Sequence, residues 1–159
     1  MVVVGIDQSI SSTGIVILED SNIIHHEIIG SDINLDDVSR CESICERVCE
    51  LINQYDTGKV VCEGLAFSAS GDATRKLAGL QFLIISYIKR LTEINNISVV
   101  APTTLKKFAT GNGRGNKEDL FESLPSDDKA IVETYLKTKG RYDITDAYWL
   151  ARYGEDNDS

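Results

Sequence analysis

Four carboxylates stand in segments that a folded chain would bury. Asp7 closes the run VVVGID, Glu63 closes KVVCE just ahead of Gly64, and Asp143 and Asp146 stand three residues apart in RYDITDAYWLA. Ionised acids seldom lie among core-forming residues unless they are paired or bound to a cation. If the four converge, they offer the hard oxygen ligands that Mg²⁺ prefers. Two such ions about 4 Å apart would clamp the attacking and leaving oxygens of an in-line phosphoryl displacement.

Taken singly, each acid also has an ordinary structural explanation. Asp143 could cap the last helix, with Asp146 as a first-turn acid favoured by the helix dipole. Glu63 could be an exposed strand-end glutamate, and Asp7 a turn residue bonded to nearby amides. A spacing of three puts Asp143 and Asp146 on one helical face, which Ala147 and Leu150 continue toward a sheet, with Tyr148 and Arg152 pointing away. It is the set, ordered along the chain, that argues for a metal-binding site.

The elements that must position these acids are legible from periodicity. VVVGID, GIVILED and NIIHHEIIG read as three strands of an antiparallel meander. Residues 35–54 read as a helix, with Val38, Cys41, Ile44, Cys45, Val48, Cys49 and Ile52 on its apolar face. KVVCEGL is the fourth strand and ISVVAP the fifth, stopped by Pro102. Between them, Asp72 is the expected N-cap of a helix reaching about residue 93. Its apolar arc is wide enough for one side to meet the sheet and another a partner. TTLKKFAT, residues 117–124 and residues 127–138 read as helices, and GRYDIT opens the terminal one. The pattern predicts an α/β fold, a mixed five-stranded sheet flanked by helices, with the first and fourth strands adjacent at its centre. One domain over residues 1–153 and an acidic tail from 154 to 159 are expected.

The 159 residues carry a formal net charge of −9, which argues superficially against a nucleic-acid partner. Phosphate contact depends on local basic surface rather than net charge. From Pro102 to Lys117 there is no acid, while Lys106, Lys107, Arg114 and Lys117 are all basic. The alternative for these four is a solvated loop. No apolar run has the length of a membrane span, and MVVVGIDQ lacks the layout of a signal peptide, so a cytoplasmic location is expected. The four cysteines are read as reduced thiols, and Cys41, Cys45 and Cys49 as small core residues of one helix rather than Zn²⁺ ligands.

The segments GIDQSISSTGIVIL, VVCEGL, APTTLKKFATGNGRGNKED and YDITDAYWLA, in that order, resemble the RuvC-type Holliday junction resolvases of the ribonuclease H-like superfamily, in a phage or bacterial version. The likeness spans roughly residues 2–153. It implies a catalytic tetrad of Asp7, Glu63, Asp143 and Asp146 holding two Mg²⁺ ions, with Mn²⁺ as a substitute. It implies Lys106 and Lys117 at the scissile phosphate, with Lys107 and Arg114 adding phosphate contacts. It further implies a homodimer that cuts two strands of a four-way DNA junction, with Phe67 as a wedge near the crossover and Ser68, Ser70 and Arg75 on the strand backbone. Two other readings compete. A phosphotransferase of the actin and sugar-kinase superfamily shares the first strand and turn but needs a second domain and phosphate loop. A non-catalytic branched-DNA binding module would not need four intact acids.

Overall fold

The computed structural model describes residues 1–65, 71–135 and 138–157. Five strands form one sheet in the order β3-β2-β1-β4-β5, namely β1 (Val2–Asp7), β2 (Thr13–Glu19), β3 (Asn22–Ile29), β4 (Lys59–Glu63) and β5 (Ile97–Val100). β1, β2 and β3 are antiparallel neighbours, and β4 lies parallel to both β1 and β5. The expected meander and the central β1–β4 pairing are both present.

The helices α1 (Asp37–Gln54) and α2 (Asp72–Leu91) cover one face of the sheet. The other face carries α3 (Pro102–Thr110), α4 (Lys117–Glu122), α5 (Ser126–Val132) and α6 (Thr138–Asp156). Side chains alternate accordingly along the central strands. Val4, Ile6, Val60 and Cys62 join Ile44, Val48, Leu80 and Ile84 on the first face, while Val3 and Val61 join Ala147, Leu150 and Ala151 on the second. Strands buried on both faces read as continuous apolar runs, which is why VVVGID and KVVCE are so free of surface residues.

Helix α6 lies unusually close to the sheet, and two glycines allow it. A Cβ on Gly5 would sit 2.0 Å from the Ala147 carbonyl oxygen, and one on Gly14 2.5 Å from the Asp143 carbonyl oxygen. Gly14 pairs directly with Asp7 across the β1–β2 ladder. The bare backbone at that point brings the first turns of α6 down beside the end of β1.

Several boundaries differ from the sequence reading. Gly71, at φ 98°, takes the N-cap of α2, and Asp72 becomes its first helical residue. α6 begins at Thr138, a turn before Asp143, so neither Asp143 nor Asp146 is a capping residue. Tyr148 does not point away; it is buried in the second core, its hydroxyl donating to Asp128 at 2.8 Å. Gly154 to Asp156, expected as tail, continue α6, because Arg152 pairs with Glu155 at 2.8 Å and Lys59 donates to the Gly154 carbonyl at 3.2 Å. The broad arc of α2 divides: Leu80, Ile84 and Ile88 are buried, whereas Phe82 is 74% exposed.

Candidate metal centre and nucleic-acid cleft

Asp7 and Glu63 are the last residues of β1 and β4, and the two strands run parallel, so both carboxylates emerge at the same edge. Asp146 reaches the same place from α6. One carboxylate oxygen from each of Asp7, Glu63 and Asp146 lies within 4.8 Å of the others. Asp143, one turn earlier on α6, lines the same cleft and accepts a hydrogen bond from the Ser12 hydroxyl at 2.5 Å. It is 7% exposed, and Asp146 9%. The three-acid group is thus closed more tightly than the full set of four, with Asp143 adjacent and held by the β1–β2 turn.

The electrostatics of this cluster are unbalanced. Burial first, then the neighbouring charges of Asp146, Glu63 and Asp143, hold the Asp7 carboxyl well above the ordinary aspartate range. Burial likewise raises Glu63, although a hydrogen bond shared with Asp7 and the fields of Lys117 and Lys106 oppose it. Burial and the Glu63 charge push Asp146 up to about 7. Crowded carboxylates of this kind cannot all ionise unless a cation joins them. A set of convergent oxygens that repel one another matches the donor set of a hard divalent ion.

The cleft holds about 250 Å³ and is lined by the four acids together with Ser9, Lys106 and Lys117. Lys106 projects from α3 and Lys117 opens α4. Between those helices the glycine-rich segment is closely built. Gly111 ends α3 in the left-handed conformation at φ 79°, as a C-terminal glycine does. Asn116 and Asp119 then form a capping box that fixes Lys117 at the first helical position. Two lysines are thereby set facing the acids.

Lys107, Arg114 and Arg75 do not line the cleft. Lys107 and Arg114 are exposed nearby, on α3 and in the α3–α4 loop. Arg75 is exposed on α2 and pairs with Asp72 at 3.4 Å. Phe67, Ser68 and Ser70 lie outside the described residues. Burial pushes the Cys45 and Cys62 thiols up to about 12, away from the thiolate form a zinc ligand needs.

Sequence reasoning missed several polar groups around the site. Ser9 lines the cleft, Ser12 bonds Asp143, and Lys139 donates to Ser11 at 3.0 Å. The polar run QSISST was the available signal, but a turn of that composition looks the same with or without a site beside it. Gln8 and Gln81 both donate to the Glu63 carbonyl at 2.7 Å, and nothing in their spacing announces that.

A mixed five-stranded sheet of this order, flanked by helices, is the ribonuclease H-like fold, and here an acid ends each of two central parallel strands and a third comes from the final helix. Residues 3–150 match the sequence model of the family described as crossover junction endodeoxyribonuclease RuvC. The chain belongs to that family and is an enzyme of the Holliday junction resolvase kind. Crossover junction endodeoxyribonuclease RuvC of Helicobacter pylori strain G27 is 29% identical over 124 residues, covering 76% of this chain and 77% of its own length. The fold is similar to that of Thermus thermophilus RuvC, with a TM-score of 0.73 at 18% identity, covering 98% of this chain and 96% of that one. It is also similar to the yeast mitochondrial Holliday junction resolvase, with a TM-score of 0.65 at 13% identity over 94% of this chain and 75% of that one. Among the described residues, no helix is long and apolar enough to cross a membrane.

Proposed function

We propose that this chain is a divalent-metal-dependent endonuclease that resolves four-way DNA junctions, with Asp7, Glu63, Asp143 and Asp146 as its carboxylate ligands. The observation that carries the reading is the cleft in which mutually repelling acids from β1, β4 and α6 face Lys106 and Lys117. Mg²⁺, or Mn²⁺ in its place, bound as a pair would activate water and offset the charge that develops on the phosphate and the departing 3′ oxygen. The chain's own residues do the rest. Lys106 and Lys117 draw the scissile phosphate against the acids, and Ser12 holds Asp143 in one orientation. Lys107 and Arg114 extend the basic surface along the DNA backbone, with Arg75 and Phe67 as further contacts. A T. thermophilus RuvC of the same fold has been seen in complex with a Holliday junction substrate, which supports a branched-DNA partner here.

The exposed side of α2 around Phe82 supports a homodimer, which would present two clefts to two strands. A monomer by light scattering at micromolar concentration would remove this part of the reading. The central test presents four-way, three-way, flap and linear duplex DNA with Mg²⁺ and maps the products. Symmetric nicks in the four-way junction are expected, abolished in Asp7→Asn while junction binding persists. Undiminished cleavage by Asp7→Asn at saturating Mg²⁺ would sink the assignment.

A further inference from the structure

Glu63 is the last residue of β4, and its surroundings differ on its two sides. On the β5 side the ladder continues past it, with the Gly64 amide donating to the Val100 carbonyl at 2.7 Å. On the β1 side the ladder stops one pair short, at Ile6–Cys62. There the Gln8 side chain takes over, its Nε2 donating to the Glu63 carbonyl oxygen at 2.7 Å. The Gln81 side chain, from α2, donates to the same oxygen, also at 2.7 Å. A carbonyl oxygen accepts two hydrogen bonds, so this one is saturated by side chains from two separate elements.

The arrangement has a cost that marks it out. Gln8 is 7% exposed, and with Nε2 committed to Glu63 its Oε1 is buried with no partner among the described residues. Gln8 also follows Asp7 directly in the chain. One amide therefore ties the backbone beside the first carboxylate to the backbone that carries the second. Gln81 ties the same point to the layer of α1 and α2, on the opposite face of the sheet from α6, which supplies Asp146.

We infer that Gln8 and Gln81 are positioning residues that clamp the Glu63 carbonyl and so set the separation of the Asp7 and Glu63 carboxylates. Their substrate is the geometry of the acid cluster, and the inference rests on that cluster binding a divalent cation. Groups that orient metal ligands without touching the metal typically contribute about 10- to 100-fold in affinity. The test measures Mn²⁺ binding directly, by electron paramagnetic resonance of the free ion, on the intact protein and on Gln8→Met, Gln81→Met and the double variant. Methionine keeps the volume and removes the donor. Each single change is expected to weaken Mn²⁺ several-fold and the double change by at least about tenfold, within the range typical of such groups. Binding to a four-way junction without metal should stay within about twofold of the parent, because phosphate contacts are untouched.

A double variant with the parent's melting temperature and Mn²⁺ affinity would overturn the inference. If the double variant does not fold, Gln81→Met alone decides by the same comparison. Asp7→Asn serves as the reference for lost binding. A parent protein that takes up no Mn²⁺ would instead overturn the metal reading, and this inference with it.

Discussion

The two ends of β4 treat buried charge in opposite ways. At the start of the strand, Lys59 is 2% exposed, and its ammonium donates to the carbonyls of Gly154 and Asn157 at 3.2 and 2.5 Å. These carbonyls belong to the C-terminal end of α6, where the helix dipole and unpaired oxygens favour a cation. Four residues later, Glu63 meets Asp7 and Asp146, and the fields of Lys117 and Lys106 oppose its burial without bringing it back to the ordinary glutamate range. Both ends pack against the same helix. The first uses it to neutralise a charge; the second uses it to add one. A fold that balances a buried lysine so fully could have balanced Glu63 too, so the imbalance points to a ligand that the chain does not itself supply.

Glu63→Gln should show the largest effect. Removing one ligand should cut cleavage at least about 100-fold, beyond the loss typical of groups that only orient ligands. In metal-free buffer at neutral pH the same variant should melt no lower than the parent, since it relieves repulsion. A clear fall in its metal-free melting temperature would mean that Glu63 is as structural as Lys59.

Lys106 and Lys117 sharpen the contrast from the basic side, because they face the cleft where Lys59 is spent on backbone. Lys106→Ala and Lys117→Ala should each lower cleavage and reduce the salt slope of junction binding by about 1. An unchanged slope would remove them from the interface.

Lys59→Met should act only on stability. It takes the donor from the buried Gly154 carbonyl, at about 1–3 kcal/mol, lowering the melting temperature by about 2–4 °C per kcal/mol lost. Cleavage per folded molecule should be preserved; a specific loss of activity would show that the two ends are coupled through α6.

The smallest effect concerns pH. Asp146 is raised from 3.8 to about 7, so between those values the folded protein holds a proton that the unfolded chain releases. Stability of the metal-free protein should therefore fall as pH rises from about 4 to 7. Added Mg²⁺ should restore it at pH 7.5 and do little at pH 5, as read by thermal melting. A metal-free melting temperature that rises across that range would contradict the crowding of the cluster.

Much of this was written in local pattern. The β-branched runs, the helical spacing of Cys41, Ile44, Cys45 and Val48, and the acids that close two strands all follow from periods of two and 3.6 residues. These are short-range properties, and they were enough to expect the sheet and the central pairing of β1 with β4 and to single out the four acids as candidates. The C-terminal boundary of α6 was not, because its last turn is held by Lys59 and Ser21, residues distant in sequence.

Only the tertiary structure decided which acids close together and which stands aside. Gly5 and Gly14 admit α6 to the sheet at a distance no side chain would allow, and that approach, not the spacing of Asp143 and Asp146, sets where the two carboxylates fall. It also made Ser12 the partner of Asp143 and placed two glutamine amides on the Glu63 carbonyl. Such contacts join residues 18 to 131 positions apart, and no periodicity records them. Residue types and local order named the chemistry; the close packing of one helix on two bare strands fixed its geometry.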